Sequence, residues 1–387
     1  MSPIGIYIHV PFCISRCYYC DFYSTTDLRV EYVKDYVDAV IESLQARSVH
    51  FEGLAVQTIY FGGGTPAILG RHLVDIIDAI HECYYVADNV EITIEANPGS
   101  LSPDIVNEWV GSGVSRISLG VQAFDPAVLK AIGRSHTVDD TMRSLAFLDE
   151  VDVAVSIDLM CGLPQQDLGK WRAQIDMAIA CEPDHISVYP LTVEEGTAMH
   201  TMVNDGSLTI PEPDEVAEQM DVADHALQSA GYEHYEIANY AKPGKRSRHN
   251  VGYWSAIPYL GIGPSAASML TNKDGSRRRG IAHSTIESFI ADPILMDTHK
   301  WSEYEELTPQ EARCEDLMLG MRMMEGVESF EVGANGLEEV FESLCSKGLV
   351  EFDEENERYR PTDIGWLLGN EIFGEIWSAR EMISLDR

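Results

Sequence analysis

Three cysteines fall within eight residues, Cys13-Ile-Ser-Arg-Cys17-Tyr-Tyr-Cys20, a C-x3-C-x2-C spacing. Three thiolates on one short loop can hold three irons of a cubane 4Fe-4S cluster and leave the fourth iron open to a non-protein ligand. Zinc is the competing occupant. A closed zinc site needs a fourth donor, and His9, four residues ahead of Cys13, could supply it. The remaining cysteines, Cys83, Cys161, Cys181, Cys314 and Cys345, are scattered through apolar stretches and read as small buried hydrophobes.

The elements that must position this loop follow from the hydrophobic pattern. Strands are expected at Ile4–His9, Val56–Phe61, Val90–Glu95, Arg116–Gly120, Val153–Leu159 and His185–Leu191. Between them, helices are expected near Val30–Ala46, Gly70–Tyr85, Pro103–Gly111, Thr141–Leu148 and Gly169–Ala180, the third opened by Ser102-Pro103-Asp104. Strand–helix alternation with apolar strands predicts a parallel sheet covered by helices. Six such units are too few for a closed eight-fold barrel and suit a partial, TIM-like (β/α)6 one. Polar or glycine residues recur just after the strands: Gly62-Gly63-Gly64-Thr65, Glu95-Ala96-Asn97-Pro98, Gln122, Asp158 and Thr192. In barrels these C-terminal strand ends face the active site. The glycines are read as letting the backbone approach a ligand without Cβ collisions.

Past residue 195 the alternation fades. Pro211–Ala230 reads as a helix, Tyr235–Tyr240 as one short strand, and Tyr253–Met269 as a packed loop region. Arg277, Arg278 and Arg279 read as a solvated loop. Helices at Glu311–Met324 and Leu337–Lys347, a hairpin from Leu349–Phe352 and Tyr359–Pro361, and a helix at Thr362–Trp377 suggest a winged-helix-like module. The expected division is 1–235 for the barrel, 236–305 for an accessory region and 306–387 for the C-terminal domain.

Several motifs, in order, carry a family resemblance: Tyr7-Ile-His-Val-Pro-Phe-Cys13, Phe61-Gly-Gly-Gly-Thr-Pro66, Arg116-Ile-Ser-Leu-Gly-Val-Gln122, Gly133-Arg-Ser-His136, Asp158-Leu-Met-Cys-Gly-Leu-Pro164 and Tyr235-Glu-Ile-Ala-Asn-Tyr240. Together they resemble radical S-adenosylmethionine (SAM) proteins of the oxygen-independent coproporphyrinogen oxidase superfamily, along nearly the whole chain. The resemblance implies that Cys13, Cys17 and Cys20 hold the cluster and that its open iron chelates the methionine moiety of SAM. Reduction would then release a 5′-deoxyadenosyl radical. It places Tyr7, Tyr19, Gly63, Gly64, Thr65, Glu95, Gln122, Arg134 and Asp158 around the cofactor. Glu95 and Asp158 suit hydroxyl and ammonium donors, and Arg134 suits a carboxylate, which it can grip bidentately.

Two features separate the branches of this superfamily. The oxidases resemble C-x3-C-x2-C-x-C, whereas Phe22 stands here at the fourth cysteine position. Residues 248–254, Arg-His-Asn-Val-Gly-Tyr-Trp, are similar to the heme chaperone branch, the HemW type. There His249 is a candidate axial heme ligand, with Tyr253 and Trp254 packing on the macrocycle. The expectation is therefore a chaperone that binds heme and passes it to an acceptor apoprotein, with flavodoxin or ferredoxin as electron donor. The alternatives are the coproporphyrinogen III oxidase itself and a radical methyltransferase that opens heme. A homodimer and a membrane-associated acceptor are compatible with the chaperone reading. A charge of −36, from 63 acidic against 27 basic residues, opposes nucleic-acid binding. The N-terminus does not read as a signal peptide and no apolar run is long enough to span a bilayer, so a cytoplasmic location is expected.

Overall fold

A computed structural model of the chain describes residues 1–295 and 300–385. The expected ranges 236–305 and 306–387 therefore include short stretches outside the described residues. Six parallel strands, β1 (Ser2–Val10), β2 (Leu54–Gly63), β3 (Val86–Ala96), β4 (Arg116–Gln122), β5 (Ala154–Cys161) and β6 (His185–Pro190), pair in chain order. Helices α1 (Val30–Arg47), α2 (His72–Cys83), α3 (Pro103–Gly111), α4 (Pro126–Ala131), α5 (Val138–Leu148), α6 (Leu168–Ala180), α7 (Ala198–Asn204) and α8 (Pro213–Ser229) follow the strands. This is the expected partial barrel. α5 begins earlier than the apolar period suggests, because Thr137 and Asp140 form a capping box.

The strands are less uniformly apolar than a doubly covered sheet requires. Ile4, Ile6, Ile8 and Val10 of β1, Ile92 and Ile94 of β3, and Ile157 and Leu159 of β5 are buried in the main core. The alternate positions, Tyr7, Tyr60, Glu95, Ser118 and Asp158, are polar and meet one another inside the barrel. The inside is a lined site and the outside is the core.

Both edges of the six-stranded unit are extended. The segment read as one strand near Tyr235 folds into β7 (Glu233–Glu236) and β8 (Asn239–Ala241), because Glu236 turns back to accept from the Asn239 amide and the Ala238 N–H. The region read as packed loop contains α9 (Arg248–Trp254), β9 (Tyr259–Ile262) and β10 (Ala267–Thr271). These strands are too short to show a period, and their close pairing needs Gly261, whose Cβ would lie 2.0 Å from the Ala267 carbonyl oxygen. The arginine run is not a solvated loop either. It forms β11 (Arg277–Ile281), which pairs with β12 (Ser302–Leu307). The strands complete one sheet in the order β12-β11-β10-β9-β1-β2-β3-β4-β5-β6-β8-β7, with α10 (Ile286–Ala291) between β11 and β12 in the chain.

The C-terminal module has its own core around Leu317, Phe341, Leu344 and Ile372. It contains α11 (Pro309–Gly320), β13 (Val327–Glu328), α12 (Ser329–Ala334), α13 (Glu338–Ser346), β14 (Val350–Asp353) and β15 (Arg358–Pro361), a winged-helix-like order. The expected last helix is broken at Leu368 into α14 (Asp363–Leu367) and α15 (Gly369–Leu385). Arg277 is buried against Glu315 and Asp316 of α11, and Arg279 reaches Glu315 and Glu305, fastening the module to the sheet edge.

α9 closes the floor of the barrel. Glu91 of β3 caps its start, accepting from the N–H groups of Arg248 (3.1 Å) and His249 (3.0 Å). The His249 ring is buried, with Nδ1 2.8 Å from Thr58 Oγ1 and Nε2 2.9 Å from the Tyr253 hydroxyl, and it stacks on Tyr60 at 4.9 Å. Trp254 points the other way. Its Nε1 donates to buried Glu236 (2.9 Å), and Arg322 of the C-terminal module lies 5.0 Å over its ring. Burial pulls the His249 pKa from an ordinary 6.5 down to about 3. The neutral ring thus stabilises the fold fully above 6.5, and that contribution is lost as pH falls toward about 3. Between about pH 7 and about pH 4.5, the thermal midpoint of the unsubstituted protein should fall further than that of His249→Gln. Parallel profiles would remove the buried ring from the account.

Candidate active site

The cysteine loop runs from the end of β1 to α1 and is tied down at several points. Its base is an extended bridge in which the Cys13 N–H donates to the Thr25 carbonyl (2.9 Å) and the Thr25 N–H to the Pro11 carbonyl (2.7 Å). Phe12, fully buried, packs edge-on against Tyr36 at 5.3 Å. At the tip, Tyr18 is held from both sides: its N–H donates to Ile132, and its carbonyl accepts from the Met199 N–H. The Tyr18 ring passes so close to Gly133 that a Cβ there would lie 3.0 Å away.

Cys13, Cys17 and Cys20 line one cleft at the C-terminal ends of the strands, together with Tyr19, Gly63, Gly64, Thr65, Glu95, Gln122, Arg134 and Asp158. Eleven of the thirteen residues singled out from sequence therefore meet here. The sulfurs are near enough for Cys17 to push the Cys13 and Cys20 thiols up, a smaller effect than that of burial. Thr65 Oγ1 lies 3.7 Å from Cys13 Sγ and Arg134 Nη1 3.5 Å from Cys17 Sγ. His9 does not complete a zinc set. Its Nε2 is 2.9 Å from the Tyr23 carbonyl and its Nδ1 3.2 Å from the Tyr7 hydroxyl, so both nitrogens are engaged. Three soft donors on one loop, without that fourth, fit a cluster with an open iron.

Arg134 is a strut more than an open fork. Its Nη2 donates to Asn97 Oδ1 (2.6 Å) and to the Gly120 carbonyl, and its buried Nε has no protein partner. Both bidentate forks of a guanidinium use the engaged nitrogen, so the expected two-point grip gives way to the free Nε. Glu95 accepts from the Tyr60 hydroxyl (2.7 Å) and the Gly63 N–H (3.2 Å). Ser118 Oγ donates to Asp158 (3.1 Å). Gln122, at φ 64°, turns its side chain to accept from the Tyr189 hydroxyl (2.9 Å). A left-handed non-glycine residue at a strand end is strain held at the rim of the site.

Two predicted residues lie elsewhere. Tyr7 stands below the cleft, stacked on Tyr60 at 6.2 Å. His249 is at the opposite end of the barrel, and with both ring nitrogens engaged it presents no lone pair to a heme iron. Tyr253 and Trp254 are likewise occupied by His249 and Glu236. Sequence reasoning missed Tyr60, Ser118 and Tyr189, and named Asn97 only as a strand-end residue. Tyr60, Ser118 and Tyr189 share the inward period of β2, β4 and β6, which is the signal that would have found them.

The glycines also have a cause within the protein itself. At Gly63, with φ 103°, a Cβ would lie 2.6 Å from the His9 ring. At Gly64 it would lie 2.7 Å from the Phe12 carbonyl oxygen and 2.8 Å from that of Val10. The space is already filled by the protein, and the glycines let β1 and β2 come together beneath the cysteine loop.

A family model described as the Radical SAM superfamily matches residues 7–178. A protein of Lactococcus lactis named "Heme chaperone HemW" is 34% identical over 382 residues, covering 96% of this chain and 97% of that one. One of the same name from Escherichia coli is 35% identical over 277 residues, covering 71% and 72%. The chain belongs to the HemW family of radical SAM proteins. The fold agrees: the E. coli coproporphyrinogen III oxidase HemN, a radical SAM enzyme, superposes with a TM-score of 0.80 at 20% identity, over 97% of this chain and 90% of that one. Among the described residues no helix is long and apolar enough to cross a membrane.

Burial pushes the Glu95 carboxyl from 4.5 up to about 7 and the Asp158 carboxyl from 3.8 up to about 6. For Glu95, the protonated form favours the cofactor-free fold fully below 4.5, and that contribution is lost as pH rises through about 7. Glu95→Gln should therefore raise the thermal midpoint of cofactor-free protein more at about pH 8 than at about pH 5. An equal shift at both would show that the carboxyl is not buried as described. Gly64→Ala, set against two backbone carbonyls that cannot move independently, should cost about 1–3 kcal/mol in chemical denaturation.

Proposed function

We propose that this chain is a heme chaperone of the HemW type, holding a 4Fe-4S cluster on Cys13, Cys17 and Cys20 and SAM in the adjoining cleft. It binds heme in the cytoplasm and passes it to an acceptor apoprotein, with a flavodoxin or ferredoxin as electron donor. The observation that carries the reading is the cleft: three thiols on one wall faced by two buried carboxylates, in a chain of this family.

When bound, the cluster supplies an electron and an open coordination position. The residues around it do the rest. Glu95, held by Tyr60 and Gly63, and Asp158, held by Ser118, are buried carboxyls whose ionised forms suit the ammonium and hydroxyl groups of the cofactor. No Lys or Arg lies within ion-pair distance of either among the described residues, although the Arg134 charge acts on Asp158 from farther off, and a cationic ligand would offset their burial. The free Arg134 Nε serves a carboxylate. Tyr19 and the Gly63–Thr65 turn close the walls.

The departure from the oxidases lies on the same loop. Phe22, at the fourth cysteine position, is 64% exposed, as is Ile14 at 65%, so an apolar rim replaces a thiol beside the cluster. That favours a surface for a partner over a site for radical decarboxylation.

Purified under strict anaerobiosis, the protein should be brown, and alanine at Cys13, Cys17 and Cys20 should abolish both colour and iron. It should give a Soret band on titration with hemin and transfer the heme to an apoprotein acceptor. Coproporphyrinogen supplied with SAM and a reductant should yield no protoporphyrinogen. Sustained turnover of coproporphyrinogen would replace the chaperone by the oxidase, and a colourless protein with stoichiometric zinc would overturn both. Counting 5′-deoxyadenosine with and without heme distinguishes SAM that is consumed from SAM that is only bound.

A further inference from the structure

A cavity of about 730 Å³ opens far from the cysteine cleft, where the end of α1 and the first residues of β1 meet β9–β11. Its volume lies within the range of about 300–1,000 Å³ typical of pockets that enclose small ligands. Phe51, Leu54, Leu260, Leu270 and Trp301 give it apolar walls.

Besides Ser2, His50, Thr271 and Asn272, its polar groups are cations. Arg47, Lys273 and Arg278 line the same space. In a chain with 63 acidic and 27 basic residues, other arginines find carboxylates readily, as Arg246, Arg277, Arg279 and Arg358 do. Among the described residues none of the three cavity cations forms an ion pair. Arg47 is only 6% exposed, and its guanidinium reaches two neutral oxygens, Ser43 Oγ and the Leu295 carbonyl, both at 3.2 Å. Asp292 acts on it from beyond ion-pair distance. The buried Nε of Arg278 has no hydrogen-bond partner. A desolvated guanidinium without a counter-charge is costly, and three cations around one apolar cavity supply a site for an anion that carries a large apolar body.

We propose that this cavity binds a carboxylate-bearing ring ligand, its apolar face against Phe51, Leu260 and Trp301 and its carboxylates on Arg47, Lys273 and Arg278. Resting on the heme-chaperone reading, the ligand is heme and the carboxylates are its propionates. A fatty acid presents the same chemistry of carboxylate and apolar body, so it forms a separate arm of the test.

The full-length protein, loaded with its cluster, is titrated with iron-free protoporphyrin IX, with the dimethyl ester of that porphyrin, and with oleate as competitor. Charge-assisted hydrogen bonds should make the free acid bind about tenfold or more tightly than the ester. Lys273→Glu, at an exposed position, should erase most of that difference, and Leu260→Trp should weaken both porphyrins by filling the cavity. Circular dichroism checks the fold of each variant, and the acid-to-ester ratio of the unsubstituted protein stands even if Leu260→Trp does not fold. Equal affinities for acid and ester, or a ratio unchanged in Lys273→Glu, would overturn the proposal. Oleate bound with the same charge dependence in place of porphyrin would overturn the ring ligand and give the cavity to a fatty acid. Hemin bound with undiminished affinity by Lys273→Glu protein sinks the cavity assignment and leaves the chaperone standing. Porphyrin held in the cavity without transfer of heme to any acceptor does the reverse.

Discussion

The interior of this partial barrel is polar, and each inward side chain must find a partner there or be supplied with one by a ligand. Glu95 concentrates the problem. Its carboxylate is buried at the top of the barrel, supported by Tyr60 and the Gly63 N–H. Tyr60 in turn lies between the Tyr7 ring and the His249 ring, and His249 is pinned by Thr58 and Tyr253. The column runs from the cofactor cleft to the floor with each member fixed by the next. Removing the ring at the bottom would free Tyr60 to tilt, and the carboxylate at the top would lose its strongest neutral donor. Preorganisation of the cleft is thus a property of the whole barrel interior.

The cysteine loop depends on the same economy of space. β1 and β2 approach so closely under it that His9 and two backbone carbonyls occupy the positions where side chains of residues 63 and 64 would stand. His9 is thereby wedged between the Tyr7 hydroxyl and the Tyr23 carbonyl, which ties the far end of the loop to the strand from which it starts. Tyr18 anchors the tip through close passage over Gly133. A loop with three thiols and no regular structure is held still because its neighbours lack side chains at the points of contact.

Much of this was legible in the sequence, and the failures have physical reasons. The six barrel strands and the longer helices after them were readable because each is long enough to show a period, whereas α4 and α7, at six and seven residues, were not read; the strand-end residues followed from the barrel rule. β9, β10 and β11 were not, since four or five residues between glycines and arginines carry no usable pattern. The arginine run misled for a related reason: charge at Arg277 and Arg279 suggested water, whereas Glu315 and Glu305 bury or cover it from a distant part of the chain. His249 misled through chemistry. An imidazole flanked by Tyr and Trp has the composition of a heme site, but composition does not say that two hydroxyls already hold its nitrogens. The glycines were noticed for the approach of a ligand, and the further collision they avoid, with His9 and the backbone, is one that no local pattern records.

Charge is sorted along the barrel axis. The cleft at the C-terminal strand ends carries two buried carboxylates and suits a cationic cofactor, whereas the cavity beside the N-terminal ends of β1 and β2 carries three cations and suits an anion. β2, at ten residues, separates these regions by roughly 30 Å, several times the Debye length of about 8 Å at physiological salt. Charges on a ligand at one end therefore exert little direct force on a ligand at the other. A continuous set of packed groups, the column from Glu95 through Tyr60 to His249 and α9, joins the two ends. α9 leads directly into Pro258 and β9, which form part of the cavity wall. The residues of α9, whose histidine was expected to bind heme, thus stand in the packing between the cleft and the cavity.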